Sequence, residues 1–415
     1  MTTVEIITIG DELLIGQVVD TNSAFIAREL NKVGFSVFQI TSVSDTRKHI
    51  LTALEEASRR VQIILTTGGL GPTKDDITRS VFAEYMDDVL VSDPGTLRNI
   101  EAMMAARGAT MNLLHIKQAE VPSRCTVIPN TVGTAAGMWF EKDGIVYVSM
   151  PGVPFEMKTM MLNEVITRLQ HRFCPDENIL HRTLSVIGFT ESALALRIED
   201  WEDKLPADID LAYMPGSGII RLRLSASGAD MQYLTAQTER EIEKLRSILG
   251  NHIISENDET MEEIVARMLT ERRQTVASAE SCTGGYIANL LTSISGSSAY
   301  FKGSVVAYAN DVKEQMLQVN ARDLQQHGAV SEQVVKQMAT NVRQLLGADY
   351  GIATSGIAGP TGGTPEKPVG TIWIAVATAS QTEARLLQLG ANRESNIQRT
   401  STAALNMLRE KMCNV

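Results

Sequence analysis

The segment Ala279-Glu280-Ser281-Cys282-Thr283-Gly284-Gly285 sets a serine, a cysteine and a threonine where an apolar strand runs out and a helix begins near Tyr286. A helix start offers amide donors and the positive end of a dipole, which suits an anion or a developing oxyanion. Ser281 and Cys282 are the candidate nucleophiles, and a thiol is intrinsically the more reactive of the two. Ser281 and Thr283 also suit an N-cap, so the segment alone leaves both roles open. A second loop, Gly356-Ile357-Ala358-Gly359-Pro360-Thr361-Gly362-Gly363, follows a strand ending at Ser355 and permits close backbone approach to a ligand. Two glycine-rich loops at strand ends of one domain point to a shared cleft.

Near the other end of the chain, Gly10-Asp11-Glu12-Leu13-Leu14, with Gly16, Asp20 and Asn22, closes the first strand. The run from Thr67 to Thr78 closes the strand that starts at Ile63. In that run Gly68, Gly69 and Gly71 form a phosphate-sized cradle, with Asp11, Glu12, Asp75 and Asp76 beside it. Carboxylates next to phosphates repel unless a metal intervenes, and hard oxygen ligands suit Mg²⁺ or Mn²⁺, with Co²⁺ also admissible. The competing reading is that Asp75 or Asp76 caps the helix that follows.

Both sets of residues sit where alternating strands and helices must hold them. From the start to about Phe173, short β-branched runs (Val4 to Ile9, Ser36 to Ser42, Ile63 to Thr67) alternate with helical patterns (Asn22 to Val33, Arg47 to Arg60), the mark of βαβ units and a mostly parallel sheet. Strands at Cys125 to Ile128 and Ile145 to Ser149 precede a Pro151-Gly152-Val153-Pro154 turn into a helix over Phe155 to Arg172. Ligands of open α/β sheets bind outside the carboxyl ends of such strands. Between Leu180 and Ser255 the order strand, helix, strand, strand, helix, strand describes a small α+β linker module, with turns around Gly188 and Pro215 to Gly218. From Glu256 a second α/β domain follows, with strands at Thr275 to Ala279, Gly303 to Tyr308, Tyr350 to Ser355 and Gly370 to Thr378. Its helices fall at Met261 to Arg272, Ser331 to Leu346 and Glu394 to Lys411.

A chain of 415 residues exceeds one ordinary core and suits two or three domains. Its 44% apolar and 21% charged residues are those of a globular protein. The formal charge of −11, with no interleaved basic and aromatic patch, argues against a nucleic-acid-coating role. The cysteines Cys125, Cys174, Cys282 and Cys413 are scattered without a C-x-x-C pair, which suits a reducing compartment and gives no structural zinc. The start reads as a strand rather than a leader, and no run approaches the ~20 apolar residues of a membrane helix, so a cytoplasmic protein is expected.

Several ordered motifs of the last 160 residues resemble the nicotinamide mononucleotide deamidase domain of the CinA (competence/damage-inducible protein A) family. They are the 279 to 285 segment, Gly-Ser-Ser-Ala-Tyr-Phe-Lys-Gly at 296 to 303, Tyr308-Ala309-Asn310 with Lys313, His327-Gly328-Ala329-Val330-Ser331, and the Gly356 loop followed by Lys367-Pro368-Val369-Gly370-Thr371. The resemblance implies hydrolysis of a carboxamide to carboxylate and ammonia without a cofactor. It implies Ser281 as nucleophile, Lys313 as its base and Tyr308 close by for the proton. Thr283, Gly284, Gly356, Ile357, Ala358 and Gly359 would contact substrate, with Arg393 and Arg399 as candidate phosphate partners. A lysine acts as a base only if burial or a neighbouring cation lowers its pKa.

The N-terminal motifs resemble the molybdopterin-binding fold in its CinA version, which implies metal-dependent hydrolysis of ADP-ribose and a functional role for Asp76. The resulting expectation is a molybdopterin-binding-like three-layer α/β domain over 1–172, a small α+β linker over 173–255 and a three-layer α/β deamidase domain over 256–415. The implied partners are small nucleotides, with a homodimer expected by analogy and base rate. The alternative from another class is a regulatory protein whose N-terminal fold holds a pterin or nucleotide without turnover.

Overall fold

The computed structural model describes residues 2–173 and 178–413. They gather into two compact units, one comprising the chain to residue 180 with 225–238, the other 181–224 with 239 onward.

In the first unit β1 (Thr3–Ile9), β2 (Ser36–Val43) and β3 (Ile63–Thr67) lie in parallel with β1 central. After the small hairpin of β4 (Leu90–Ser92) and β5 (Glu120–Pro122) come β6 (Thr126–Ile128), β7 (Gly137–Lys142) and β8 (Ile145–Met150). The sheet order is β2-β1-β3-β8-β7-β6, with β8 parallel to β3 and the last two strands antiparallel. Alternation of side chains along each strand builds two cores. Val4, Ile6, Leu65 and Val148 face the helices Thr21–Lys32 and Pro154–Met160, while Ile7, Ile9, Ile64 and Tyr147 face Arg47–Ser58 and Thr78–Tyr85. The result is the three-layer arrangement expected, with a π turn at Met161–Val165 inside the long helix read from Phe155 to Arg172.

Four parallel strands end at one edge, so the loops after β1, β2, β3 and β8 converge there. The buried Glu5 on β1 is held at that sheet by Arg60, 3.0 Å away, and by the Thr41 hydroxyl.

A second sheet, β10-β11-β9-β12, is formed by β9 (Asn178–Val186), β10 (Ile209–Pro215), β11 (Ile220–Gly228) and β12 (Ile253–Ser255), the α+β pattern anticipated. The third contains β13 (Val276–Glu280), β14 (Phe301–Val306), β15 (Tyr350–Gly356), β16 (Thr371–Ala377) and β17 (Thr382–Gln388), in order β14-β13-β15-β16-β17. Strands β14, β13 and β15 are parallel and the remaining pairs antiparallel. One face carries Val276, Ile352, Ile374 and Val376 against the helices Met261–Arg272, Tyr286–Ser293 and Arg393–Cys413. The other is paved with Ala277, Ala279, Ala353, Ala375 and Ala377, whose small side chains let the helix Glu332–Leu345 approach closely. Among the described residues no helix is long and apolar enough to cross a membrane.

Candidate functional site

On β13 the alternation puts Val276, Ser278 and Glu280 on one face, and the chain turns immediately after it. The Ser281 N–H donates to the Thr354 carbonyl on β15 at 3.0 Å, which fixes the first residue of that turn. Ser281 Oγ is 3.1 Å from Lys313 Nζ, both side chains being buried. Lys313 comes from the short helix Asn310–Gln315 after β14. Its amine donates to the carbonyls of Ala307 at 2.7 Å and Tyr308 at 3.2 Å, and its third direction points at Ser281. Burial lowers its pKa below the usual lysine value.

The structure distributes the remaining expected residues unevenly. Tyr308 meets Lys313 through its carbonyl, while its exposed hydroxyl accepts from Arg393 at 3.1 Å, so a direct proton contact between phenol and amine is absent. Arg393 also donates to the Gly359 carbonyl at 3.0 Å, which joins Ser281, Lys313, Tyr308, Arg393 and the Gly356 loop into one connected set. Asn396, buried one turn on, donates to the Ala358 carbonyl at 2.9 Å and secures that loop.

Arg399 lies six residues past Arg393, about two-thirds of a turn out of phase on the same helix, and lines a different cavity with Thr402 and Asn406. Thr283 is buried with its hydroxyl on Glu280 at 2.8 Å and Thr354 at 2.7 Å, so it holds the turn instead of facing ligand. Gly284 faces open space. The Ile357 N–H is bonded to the Thr371 carbonyl at 2.9 Å, which removes it as an oxyanion donor.

Glu280 is the residue that sequence reasoning passed over, although it stands inside the quoted motif. Its fully buried carboxylate accepts from Ser278 Oγ, Thr283 Oγ1 and the N–H groups of Gly285, Ile287 and Ala288, at 2.8–3.2 Å. The start of the helix Tyr286–Ser293 is therefore filled by an internal anion. This corrects the expectation that those amides await a ligand, and neither Ser281 nor Thr283 is the N-cap.

Cys282 is buried and its thiol is pushed up to about 12, chiefly by desolvation. Such a thiol stays protonated and is a poor nucleophile at neutral pH. Native protein treated with iodoacetamide at neutral pH should therefore be alkylated at the exposed Cys413 and not at Cys282, read by peptide mass. Rapid labelling of Cys282 would contradict this environment. Cys125 is also a free thiol, and Cys174 lies outside the described residues.

At the edge where β1, β2, β3 and β8 end, a cavity of about 400 Å³ is lined by Gly68, Gly69, Gly71, Glu12, Asp75 and Asp76. Asp45 and Glu156, which sequence reading had not singled out, line it too. Asp45 sits directly after β2, so the parallel register supplies the signal that would have found it. Its pKa is raised, first by burial and then by the carboxylates of Glu12, Asp11 and Asp76, against a lowering bond from the Asp11 N–H at 3.0 Å. Asp11 thus reaches the site through its backbone, and its side chain is not among the cavity lining.

Asp76 accepts from the N–H of Thr73 at 2.9 Å and from its hydroxyl, and the helix Thr78–Tyr85 starts after it without a side-chain cap, so the capping alternative fails. Gly68 has φ +117° and a Cβ there would lie 2.0 Å from the Ile9 carbonyl oxygen. Gly68→Ala should destabilise the first unit by about 2–5 kcal/mol through clash and backbone strain. An unchanged denaturation midpoint would refute that.

Among the described residues no three carboxylate, histidine or cysteine side chains converge into a ready metal cluster. The donors nevertheless suit a cation that keeps several waters, takes one or two carboxylates and is completed by substrate phosphates. Burial is the first cause of the raised Asp45 pKa, and the repulsion from Glu12, Asp11 and Asp76 that adds to it is what such a cation would relieve.

Family models match along most of the chain: "Probable molybdopterin binding domain" over 5–171, "Damage-inducible protein CinA KH domain" over 181–255 and "CinA C-terminal domain" over 258–412. A CinA-like protein of Cytophaga hutchinsonii is 46% identical over 411 residues, covering 99% of this chain and 98% of the relative. One from Flavobacterium psychrophilum is 43% identical over 407 residues, covering 97% of each. The crystal structure of a competence damage-inducible protein A (ComA) from Klebsiella pneumoniae matches at 36% identity and TM-score 0.36, covering 37% of this chain and 98% of that one. With its full-length relatives and the order of its three matched segments in agreement, the chain belongs to the CinA family.

Proposed function

We propose that the chain is a nucleotide hydrolase with two active sites, and that the C-terminal one converts nicotinamide mononucleotide to nicotinate mononucleotide and ammonia. The observation that carries this reading is the buried Lys313 amine, bonded to two carbonyls and Ser281 Oγ. A neutral amine there donates two N–H bonds to Ala307 and Tyr308 and keeps its lone pair toward the Ser281 hydroxyl. Lys313 takes that proton as Ser281 Oγ attacks the carboxamide carbon, then returns it to the departing nitrogen, which leaves as ammonia. Water attacks the resulting ester as Lys313 takes its proton, which Lys313 then delivers to Ser281 Oγ as the acyl–oxygen bond breaks, and the released acid ionises to the carboxylate. These steps use no metal or cofactor. The choice of nicotinamide mononucleotide rests on the family motifs around this pair, and Arg393 at the rim is the phosphate partner we favour. The test is stoichiometric release of ammonia and nicotinate mononucleotide in the presence of EDTA; absence of ammonia would refute the assignment.

For the N-terminal cavity we propose metal-dependent hydrolysis of the ADP-ribose pyrophosphate. Glu12, Asp45 and Asp76 would hold a divalent cation (Mg²⁺, Mn²⁺ or Co²⁺), which when bound neutralises the phosphate oxygens. The carboxylates around the glycine cradle favour catalysis over simple retention of a pterin or nucleotide. Asp45→Asn should lower this activity by about 10²-fold at saturating metal while leaving ammonia release from nicotinamide mononucleotide intact. Activity that survives chelation would overturn the proposal. A cytosolic homodimer is the setting we propose for both reactions.

A further inference from the structure

We propose that a cavity of about 470 Å³ between the small α+β module and the helix Arg393–Cys413 is a binding site for a nucleoside monophosphate, separate from both catalytic sites. Its volume falls in the range of small-molecule sites, about 300–1,000 Å³. The turns at Gly188 and Gly218 of the middle module both border it.

Its chemistry is that of a phosphate with a flat ring. Arg399 projects from the helix into it, and among the described residues no hydrogen bond or ion pair engages that guanidinium. Arg409 adds a second positive charge, steadied by Asn406 Oδ1 at 3.0 Å. The one carboxylate in the lining, Glu410, is met by Arg385 at 2.6 Å, so the cavity is positive in a chain of charge −11. An unpaired guanidinium beside a second one suits the oxygens of a phosphate.

Ile187, Met261, Leu387 and Leu389 supply an apolar surface for a base. His252, packed 4.6 Å from Phe189, has Nδ1 3.0 Å from the Ile187 carbonyl, which places the proton on Nδ1 and leaves Nε2 as an acceptor for an amino or hydroxyl group. The same helix begins with Arg393 and Asn396, which hold the Gly356 loop, so this cavity and the Ser281 site share one rigid element.

Titration calorimetry on the full chain carrying Ser281→Ala, with AMP as probe and adenosine and inorganic phosphate as separate arms, tests the assignment. AMP should bind more tightly than either fragment. Arg399→Glu should weaken it about tenfold or more, as loss of a charge-assisted contact requires. Thr402→Trp, which fills the cavity opposite Gly218, should abolish the same event, and unliganded melting curves identify any variant that has lost its fold. Asp76→Asn should leave the event in place. No AMP binding, binding unaffected by both cavity variants, or binding removed by Asp76→Asn would overturn the proposal.

Discussion

Replacement of Lys313 by methionine should lower kcat/KM for nicotinamide mononucleotide by about 10³-fold or more, with little change in KM. Methionine fills similar volume, so the loss reports the missing base, for which general-base effects of about 10²–10⁴ are usual. Lys313→Arg should be equally inactive, because a guanidinium keeps its charge and has no lone pair to offer Ser281. In the unaltered protein, rate should rise with pH as the amine loses its proton, along a limb lying below the usual lysine pKa because burial lowers it.

Stability has the same sign. The folded state releases this proton at lower pH than the unfolded chain, so between the lowered value and the ordinary 10.5 the unfolded state binds more protons and stability increases with pH. The contribution is lost as pH falls through the folded pKa. A Lys313→Arg enzyme with near-normal turnover would end the assignment of this residue as base.

The second large effect is expected at Glu280, a positioning residue that does not touch substrate. Glu280→Gln keeps the size but turns an acceptor into an NH₂ group facing the N–H donors of Gly285 and Ile287 or of Ala288. Unfolding free energy should fall by about 2–4 kcal/mol, the scale of charge-assisted bonds broken in a buried place. The turn 281–284 would loosen, and Ser281 Oγ would lose its alignment with Lys313. Misplacement by about 1 Å can cost about 10²-fold, so kcat should drop about 10–100-fold with KM nearly constant. A variant that is destabilised yet turns over normally when kept folded would restrict Glu280 to a structural role.

The alternation of strands and helices was readable because each strand is a short β-branched run bounded by Gly, Pro or a capping residue. Four strands escaped: the three-residue β4 and β5 are too short to show a period, and β7 and β17 were missed for different reasons. In β7 the run Gly-Met-Trp-Phe-Glu-Lys lies beside the Gly- and Thr-rich stretch before it and lacks alternation. In β17 the sequence Thr-Glu-Ala-Arg-Leu-Leu-Gln is an edge strand with mixed exposure on both faces. The small middle module followed its pattern closely, yet which turns bordered a cavity depended on packing that periodicity does not encode.

At the sites, the motifs named Ser281 and Lys313, but their meeting requires residues 32 apart to be joined across β13 and β14. The alternation along β13 did contain the clue to Glu280, since it places that carboxylate on the face of the helix it caps. Asp45 was hidden because a lone acid in a Ser-Asp-Thr turn carries no motif; only the parallel register brings it to the ends of β1 and β3. Arg399 was misplaced for the opposite reason, since nearness to Arg393 in sequence conceals a rotation around the helix.

The central claim is most directly tested by measuring ammonia release from nicotinamide mononucleotide with the full chain, Ser281→Ala and Cys282→Ala side by side. The unaltered protein and Cys282→Ala should release ammonia at similar rates while Ser281→Ala releases none above background. Full activity in Ser281→Ala would contradict the account.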